Sequence, residues 1–363
     1  MSPEALREMA EAGVPVIERD LRGMDLRGLD LGKLVAVKCN FAGQDLSETR
    51  MDEAMLAECE LGGARFGAAR REGLMLVKCR AQGLDMAAAA LVGLMLVECE
   101  LAEARFGAAR LERCMFVACK MEGLDLSKAA LDTCVLMRCT IERLRLDDAR
   151  LTNSAILEGD ATTADLSRMA IDGGLLFKLV LDSRDFSRQA LARVNFMQSS
   201  LRGARFDGAE LTQSIFIGAD LAQASFAGAR ASAVMFARAD ISRAGFSGAG
   251  LNMANFSETK GDLADFSGAD LSMAQFTDAS LRGARFVGAN LSLGDASNAR
   301  LEAADFSGAA IDRLKLHAAV LHTALLGGAR GDPIGTDEHR LVAEAYRPAP
   351  VQDEPTTGPG SEP

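Results

Sequence analysis

From Leu21 to Leu326 every fifth residue belongs to one frame. Of the 62 positions numbered 5n+1, 55 are Leu, Phe, Met or Ile, with no insertion or deletion; the exceptions are Ala36, Arg71, Ala81, Ala161, Ala231, Gly261 and Ala296. A helix returns a side chain to one face about every 3.6 residues and a strand about every 2, so neither keeps a period of five on one side. A chain that turns a corner every five residues does keep it, and each pentapeptide then forms one short extended side.

A second period overlies the first. Cys39, Cys59, Cys79, Cys99, Cys119 and Cys139 are spaced by 20, as are Cys114 and Cys134, and from Phe186 to Phe286 every tenth residue is Phe. Sixteen of the 17 Phe residues fall in the frame, and only Phe177 does not. Four sides therefore close one coil, with Phe on one opposed pair of walls and Leu or Ile on the other. On each side the frame residue and the residue two before it point inward. One must be large and one small to reach crystal-like packing density. The other three positions are expected to face water, in keeping with their Asp, Arg, Ser and Gly. Stacked about 4.8 Å apart, the coils predict an all-β solenoid, a parallel β-helix of about 15 coils and roughly 75 Å.

The pattern resembles the pentapeptide-repeat family, whose A(D/N)LXX motif stands here as ADFSG (264–268), ADLSM (269–273), ARFVG (284–288) and ANLSL (289–293). The resemblance covers residues 21–326 and implies a right-handed quadrilateral β-helix. In the first half Leu74, Leu84, Leu94, Leu124 and Leu144 replace the small inward residue, which predicts wider or distorted coils there.

Open ends of such a stack expose unpaired backbone and call for covers. Residues 1–20 read as a lead-in with a capping helix: Ser2 as N-cap, Pro3 in the first turn, Glu4 at the positive end and Gly13 as terminator. At the far end 311–326 keeps the frame but also suits a helix. Residues 327–347 read as a linker and short helix capped by Thr336, with Leu341, Val342, Ala345 and Tyr346 as its apolar stripe. That helix covers the rod, or docks a partner or a second copy to make a homodimer through the C-terminal end. Residues 348–363 have the composition of a disordered tail. A seam is expected near 169–194, where Arg184 takes a small inward position. Arg71 takes a large one. A buried guanidinium is costly, so both are expected to snorkel outward or to bulge the wall, and they are candidate partner-binding residues.

Little here points to chemistry. All eight Cys occupy the small inward slot, as a buried hydrophobe would, and no CxxC or paired His spacing suggests zinc. His317 and His322 follow frame residues and are expected to be exposed. No Ser or Cys has His and carboxylate at useful spacing, and a convex rod offers no cleft to exclude water. The chain reads as non-enzymatic, without cofactor or metal. MSPEALREMAEAG has no apolar core of a signal peptide, and no run approaches the roughly 18 apolar residues of a membrane span. Only 8 of 40 basic residues are Lys, a bias typical of GC-rich bacterial genomes, and the expected location is the bacterial cytoplasm.

The net charge of −11 sits at the ends: residues 1–20 carry −3 and 327–363 carry −4, whereas the rod holds 35 basic against 39 acidic residues. Some members of the family imitate DNA and bind type II topoisomerases, protecting gyrase and conferring quinolone resistance. A nearly neutral rod fits that role poorly, and the absence of a basic excess argues against nucleic acid as a partner. A rigid scaffold or adaptor for protein–protein interaction fits better. The lead-in IERDLRGMDLRGLDLGKL (17–34) after a short helix is similar to pentapeptide proteins that accompany bacterial type VI secretion, which implies a secretion adaptor or effector as partner.

Overall fold

A computed structural model describes residues 1–166, 168–339 and 341. Most residues numbered 5n bridge in parallel to the residue 20 later, singly or within strands, and the four resulting ladders are the four walls of a coil. They run from Asp20↔Asn40 to Ala310↔Arg330, and a final Lys315↔Ile334 bridge shortens the last step to 19. Two walls contain true strands in the first half. One is a nine-stranded sheet of Val16–Ile17, Val35–Val37, Met55–Ala57, Met75–Val77, Met95–Val97, Met115–Val117, Val135–Met137, Ala155–Asp160 and Leu175–Val180. The adjoining wall is a six-stranded sheet running from Arg70–Glu72 to Ala170–Asp172. The expected uniform stack of about 15 coils is thereby corrected. Extended sheet makes about eight turns, the nine strands of the longer sheet being one coil apart, and beyond Val180 the walls touch through single bridged residues.

On many single-bridged walls the turn is set at the bridged residue, position 5n. An Asp or Asn there accepts the N–H two residues on, as in Asp45 Oδ1 with Ser47 (3.1 Å), Asn255 with Ser257 (2.9 Å) and Asp265 with Ser267 (3.0 Å). This side-chain turn bends the wall soon after its bridged residue. Strand-bearing walls carry Met, Val, Ala, Leu or Arg there and stay extended. Corners fall at 5n+3, where 40 non-glycine residues among those described adopt positive φ.

Inside, the two Phe columns stand as expected. Phe186, Phe206, Phe226, Phe246, Phe266, Phe286 and Phe306 stack with centroids 4.8–5.1 Å apart; Phe196 to Phe276 form the second stack, and the two meet edge to face across the axis. The five Leu residues in small slots are buried without loss of the 20-residue register. Where Leu34 enlarges one slot, its wall centre is Ala36, so the two inward sizes are exchanged. All eight Cys are free and buried. Each thiol donates to the carbonyl 23 residues earlier, such as Cys79 to Leu56 (3.2 Å) and Cys99 to Leu76 (3.3 Å), and Thr49, Ser199 and Ser214 use the same acceptor rule.

The turn carboxylates set the acid limit of the rod. Asp45 and Asp160 are held below the ordinary 3.8, first by the hydroxyls of Ser47 and Thr162 (both 2.6 Å) and then by the adjoining backbone N–H. A carboxyl depressed in the folded state stabilises it above its unfolded pKa and loses that contribution as pH falls through the folded value. The melting temperature should therefore hold from neutrality to about pH 4 and fall below it, as a thermal series in pH would register.

The helix Pro3–Glu11 (α1) begins at Ser2, whose hydroxyl accepts the Ala5 N–H (3.2 Å), and ends before Gly13 at φ +64. It buries Leu6 and Ala10 in the same apolar cluster as the first coils. Toward the other end Glu338, His339 and Leu341 are helical, and the remainder of the expected helical cover lies outside the described residues. Residues 311–326 form coil walls, bridging Val320 to Arg300 and Leu325 to Asp305. Leu325 and Leu326 are exposed. Thr336 Oγ1 accepts the Ala318 N–H (3.3 Å). His322 is exposed as expected, but His317 is buried: the chain folds back through Ile334, and the Asp337 N–H donates to His317 Nδ1 (3.1 Å).

Candidate interaction surface

The outward positions of the nine-stranded sheet correct the expectation that they would be polar. One column reads Val35, Met55, Met75, Met95, Met115, Val135, Ala155, Leu175; beside it stand Val37, Ala57, Val77, Val97, Val117, Met137, Leu157 and Phe177. Ile17 below and Met197, Ile215, Ile217, Met235 and Ala237 above extend the apolar character, with Asn195 between, until Asn255 and Ser257 make the wall polar. None of these side chains is buried; Met55, Met115 and Ile17 are 38%, 37% and 53% exposed. Soluble monomers rarely expose an apolar patch this continuous.

Strand formation does not require it. The adjoining six-stranded wall has the same three-residue strands, yet presents Arg70, Arg110 and Arg150 in one column and Glu72, Glu112, Asp132 and Asp172 in the next. A third wall alternates charge, with Arg65 on Asp45 (3.0 Å), Arg105 on Asp85 (2.6 Å) and Arg145 on Asp125 (3.4 Å). Charge is thus neutralised coil by coil, and no column of this kind builds a polyanion. Phe177, out of frame in the sequence, is an outer-wall residue with the Lys178 ammonium 5.2 Å from its ring centroid.

The residues singled out from the sequence do not converge. Arg71 neither snorkels nor bulges the wall. It is 4% exposed, stays in register with Leu91, and lies over Phe66, donating to the carbonyls of Arg70 (3.0 Å), Leu46 (2.8 Å) and Phe66 (3.3 Å), while its Nε has no partner. Burial lowers its pKa from the ordinary 12.5, opposed by Asp52. Filling the frame position normally, Arg71→Leu, should stabilise the rod by about 1–3 kcal/mol in denaturant titration, because a buried charge gives way to packing. Arg71→Ala should destabilise it by leaving a void.

Arg184 is half-buried and donates to Ala164 O (3.1 Å). It belongs to the seam, where an open cleft of about 520 Å³ lies between Arg150, Met169, Ile171 and Gln189. Leu341 is helical and 38% exposed; Val342, Ala345, Tyr346 and the 348–363 tail lie outside the described residues. Among the described residues no His/Cys/Asp/Glu cluster could hold a metal, and no helix is long and apolar enough to cross a membrane.

Four ladders in 20-residue register around a continuous apolar column define a parallel β-solenoid. Its repeats are those of the pentapeptide-repeat family, whose model, pentapeptide repeats, matches in eight copies over residues 37–70, 185–216, 214–252, 239–273, 262–295 and 284–322. Among solved structures it is similar to HetL, a pentapeptide repeat protein involved in heterocyst differentiation regulation from Nostoc sp. strain PCC 7120, at 23% identity over 58% of this chain and 86% of that one, TM-score 0.29. It is also similar to QnrB1, a plasmid-mediated fluoroquinolone resistance protein, at 18% identity over 70% and 96%, TM-score 0.25. A third is a pentapeptide repeat protein of the Arabidopsis thaliana thylakoid lumen, at 33% identity over 30% and 64%, TM-score 0.14. No curated protein matches the sequence.

Proposed function

We propose that the protein is a non-enzymatic rigid scaffold that assembles with another protein surface through its apolar wall. One observation carries this reading: two aligned columns rich in Met, Val and Leu, with Phe177, face outward on a wall whose neighbour, built from strands of similar length, intersperses Arg, Glu and Asp among small residues. The lead-in at 17–34 makes a type VI secretion adaptor that loads effectors the specific role we infer. Its setting would be the bacterial cytoplasm.

The test uses the tagged full chain in its native cell. Recovered partners should include secretion-apparatus or effector proteins, and M75K/M95K, which point outward and spare the core, should abolish their recovery with an unchanged circular dichroism spectrum. Partners that persist in M75K/M95K would sink the wall. Recovery of gyrase subunits with inhibition of supercoiling would instead support topoisomerase binding, against which the coil-by-coil neutralisation of Asp by Arg stands.

A further inference from the structure

The apolar wall has a charged rim whose order says what covers it. Along the corner that follows the wall, successive coils present Glu58, Lys78, Glu98, Ala118, Arg138, Glu158 and Lys178, all exposed and all at positive φ. Pairing within the chain, as between Lys78 and Glu98 (3.7 Å), would be satisfied by unbroken alternation. Alternation instead slips by one coil at Ala118. Reading outward from that residue, Glu98 is answered by Arg138, Lys78 by Glu158, and Glu58 by Lys178. Unbroken alternation would have set like charge against like in a reversed copy; the slip sets opposite against opposite three times on each side.

We propose that the apolar wall is covered by a second copy of this chain, antiparallel, about a two-fold axis through the coil of Ala118. This rests on the reading of the wall as an assembly surface. The apolar columns have the same centre, since Ile17 then faces Ile217, and small meets large where Ala57 faces Phe177 and Ala155 faces Met75. Ten coil steps overlap, about 48 Å at the spacing of neighbouring strands. With two side-chain columns across, that is roughly 500 Å² on each copy, which with the charged rims reaches the roughly 1,000 Å² in total that a specific pair needs. On the opposite rim the axis sets Arg113 against its own copy and Lys33 against Arg193. Each of these cations is already paired within its chain, to Glu112, Glu53 and Asp172 respectively.

The experiment is sedimentation equilibrium of the full chain, with expected mass twice 38.4 kDa. E98K and R138E should each weaken the dimer about tenfold, and E98K/R138E together should restore it, because the exchanged charges meet across the axis. Pairing confined to one chain predicts the double variant to be worse than either single one. A short bis-maleimide should link A118C into covalent dimers, and should leave A108C, on a corner away from the wall, unlinked. A monomer, a dimer indifferent to E98K and R138E, or equal linking through A108C would overturn the proposal. A monomer that still captures another protein through Met75 and Met95 would overturn it while sparing the scaffold reading; a monomer in which M75K/M95K changes nothing would end both.

Discussion

Truncating Phe226 to Ala will cost about 3–5 kcal/mol of unfolding free energy in denaturant titration, near the upper end for a single core residue. Phe226 is fully buried and touches four other rings. It stacks on Phe206 and Phe246 at 4.8 Å each, and meets Phe216 and Phe236 edge to face at 5.8 and 5.4 Å. Loss of the ring removes those geometries along with the buried area, and the bridges of the adjoining Ser225 to Arg205 and Gly245 in the coils below and above prevent the walls from collapsing into the void. Phe226→Leu keeps most of the volume and should cost about 1 kcal/mol. If Ala and Leu proved equally mild, the stacked rings would not be what holds this half of the rod.

Removing twenty residues should be milder than removing three. Excision of 221–240 deletes one whole coil, and every ladder and both Phe columns rejoin in phase, so the melting temperature should change little and stability by about 1–2 kcal/mol, as in other stacks with nearest-neighbour energetics. Excision of 221–225 removes one wall and rotates everything after it by a quarter turn. Phe then stacks on Leu at one junction, an intermediate cost. Excision of 222–224 leaves a wall too short to span its side, so the ladders above and below cannot both keep register and the loss should exceed about 4 kcal/mol. Circular dichroism melts of the three variants would rank them, and any other order would mean that the coil is not the unit of stability.

How much of this was legible follows from which period was read. The frame at 5n+1 located the core, because burial there is compulsory and Leu, Phe, Met and Ile announce it. The spacing of Phe by ten announced the two columns, and Ser2, Pro3 and Gly13 announced α1. The apolar wall was missed because its residues sit at positions that face water on every other wall. Averaged over the chain those positions are polar, and only sorting them by wall separates Met55, Met75, Met95 and Met115 from Asp45, Asp85 and Asp125, which hold the same position on another wall. The signal lies in LVKC and LVEC, 20 residues apart, where an outward Val stands two residues before an inward Cys. Arg71 departs from its sequence expectation for a different reason: backbone carbonyls, which no sequence displays, are its partners. His317 was misplaced because its cover comes from residues 334–337, after the frame has ended.

The wall turns polar at Asn255, yet the coils continue to Ile334. In an antiparallel pair centred on Ala118 the last coils of each copy therefore project beyond the overlap, in opposite directions. About twenty-two coil steps separate the two tips, roughly 105 Å at strand spacing. Anything that grips one tip is offered twice on a stiff beam of fixed reach, so a target with two matching sites that far apart would be held with the avidity of a bivalent ligand, and a target with closer sites would not.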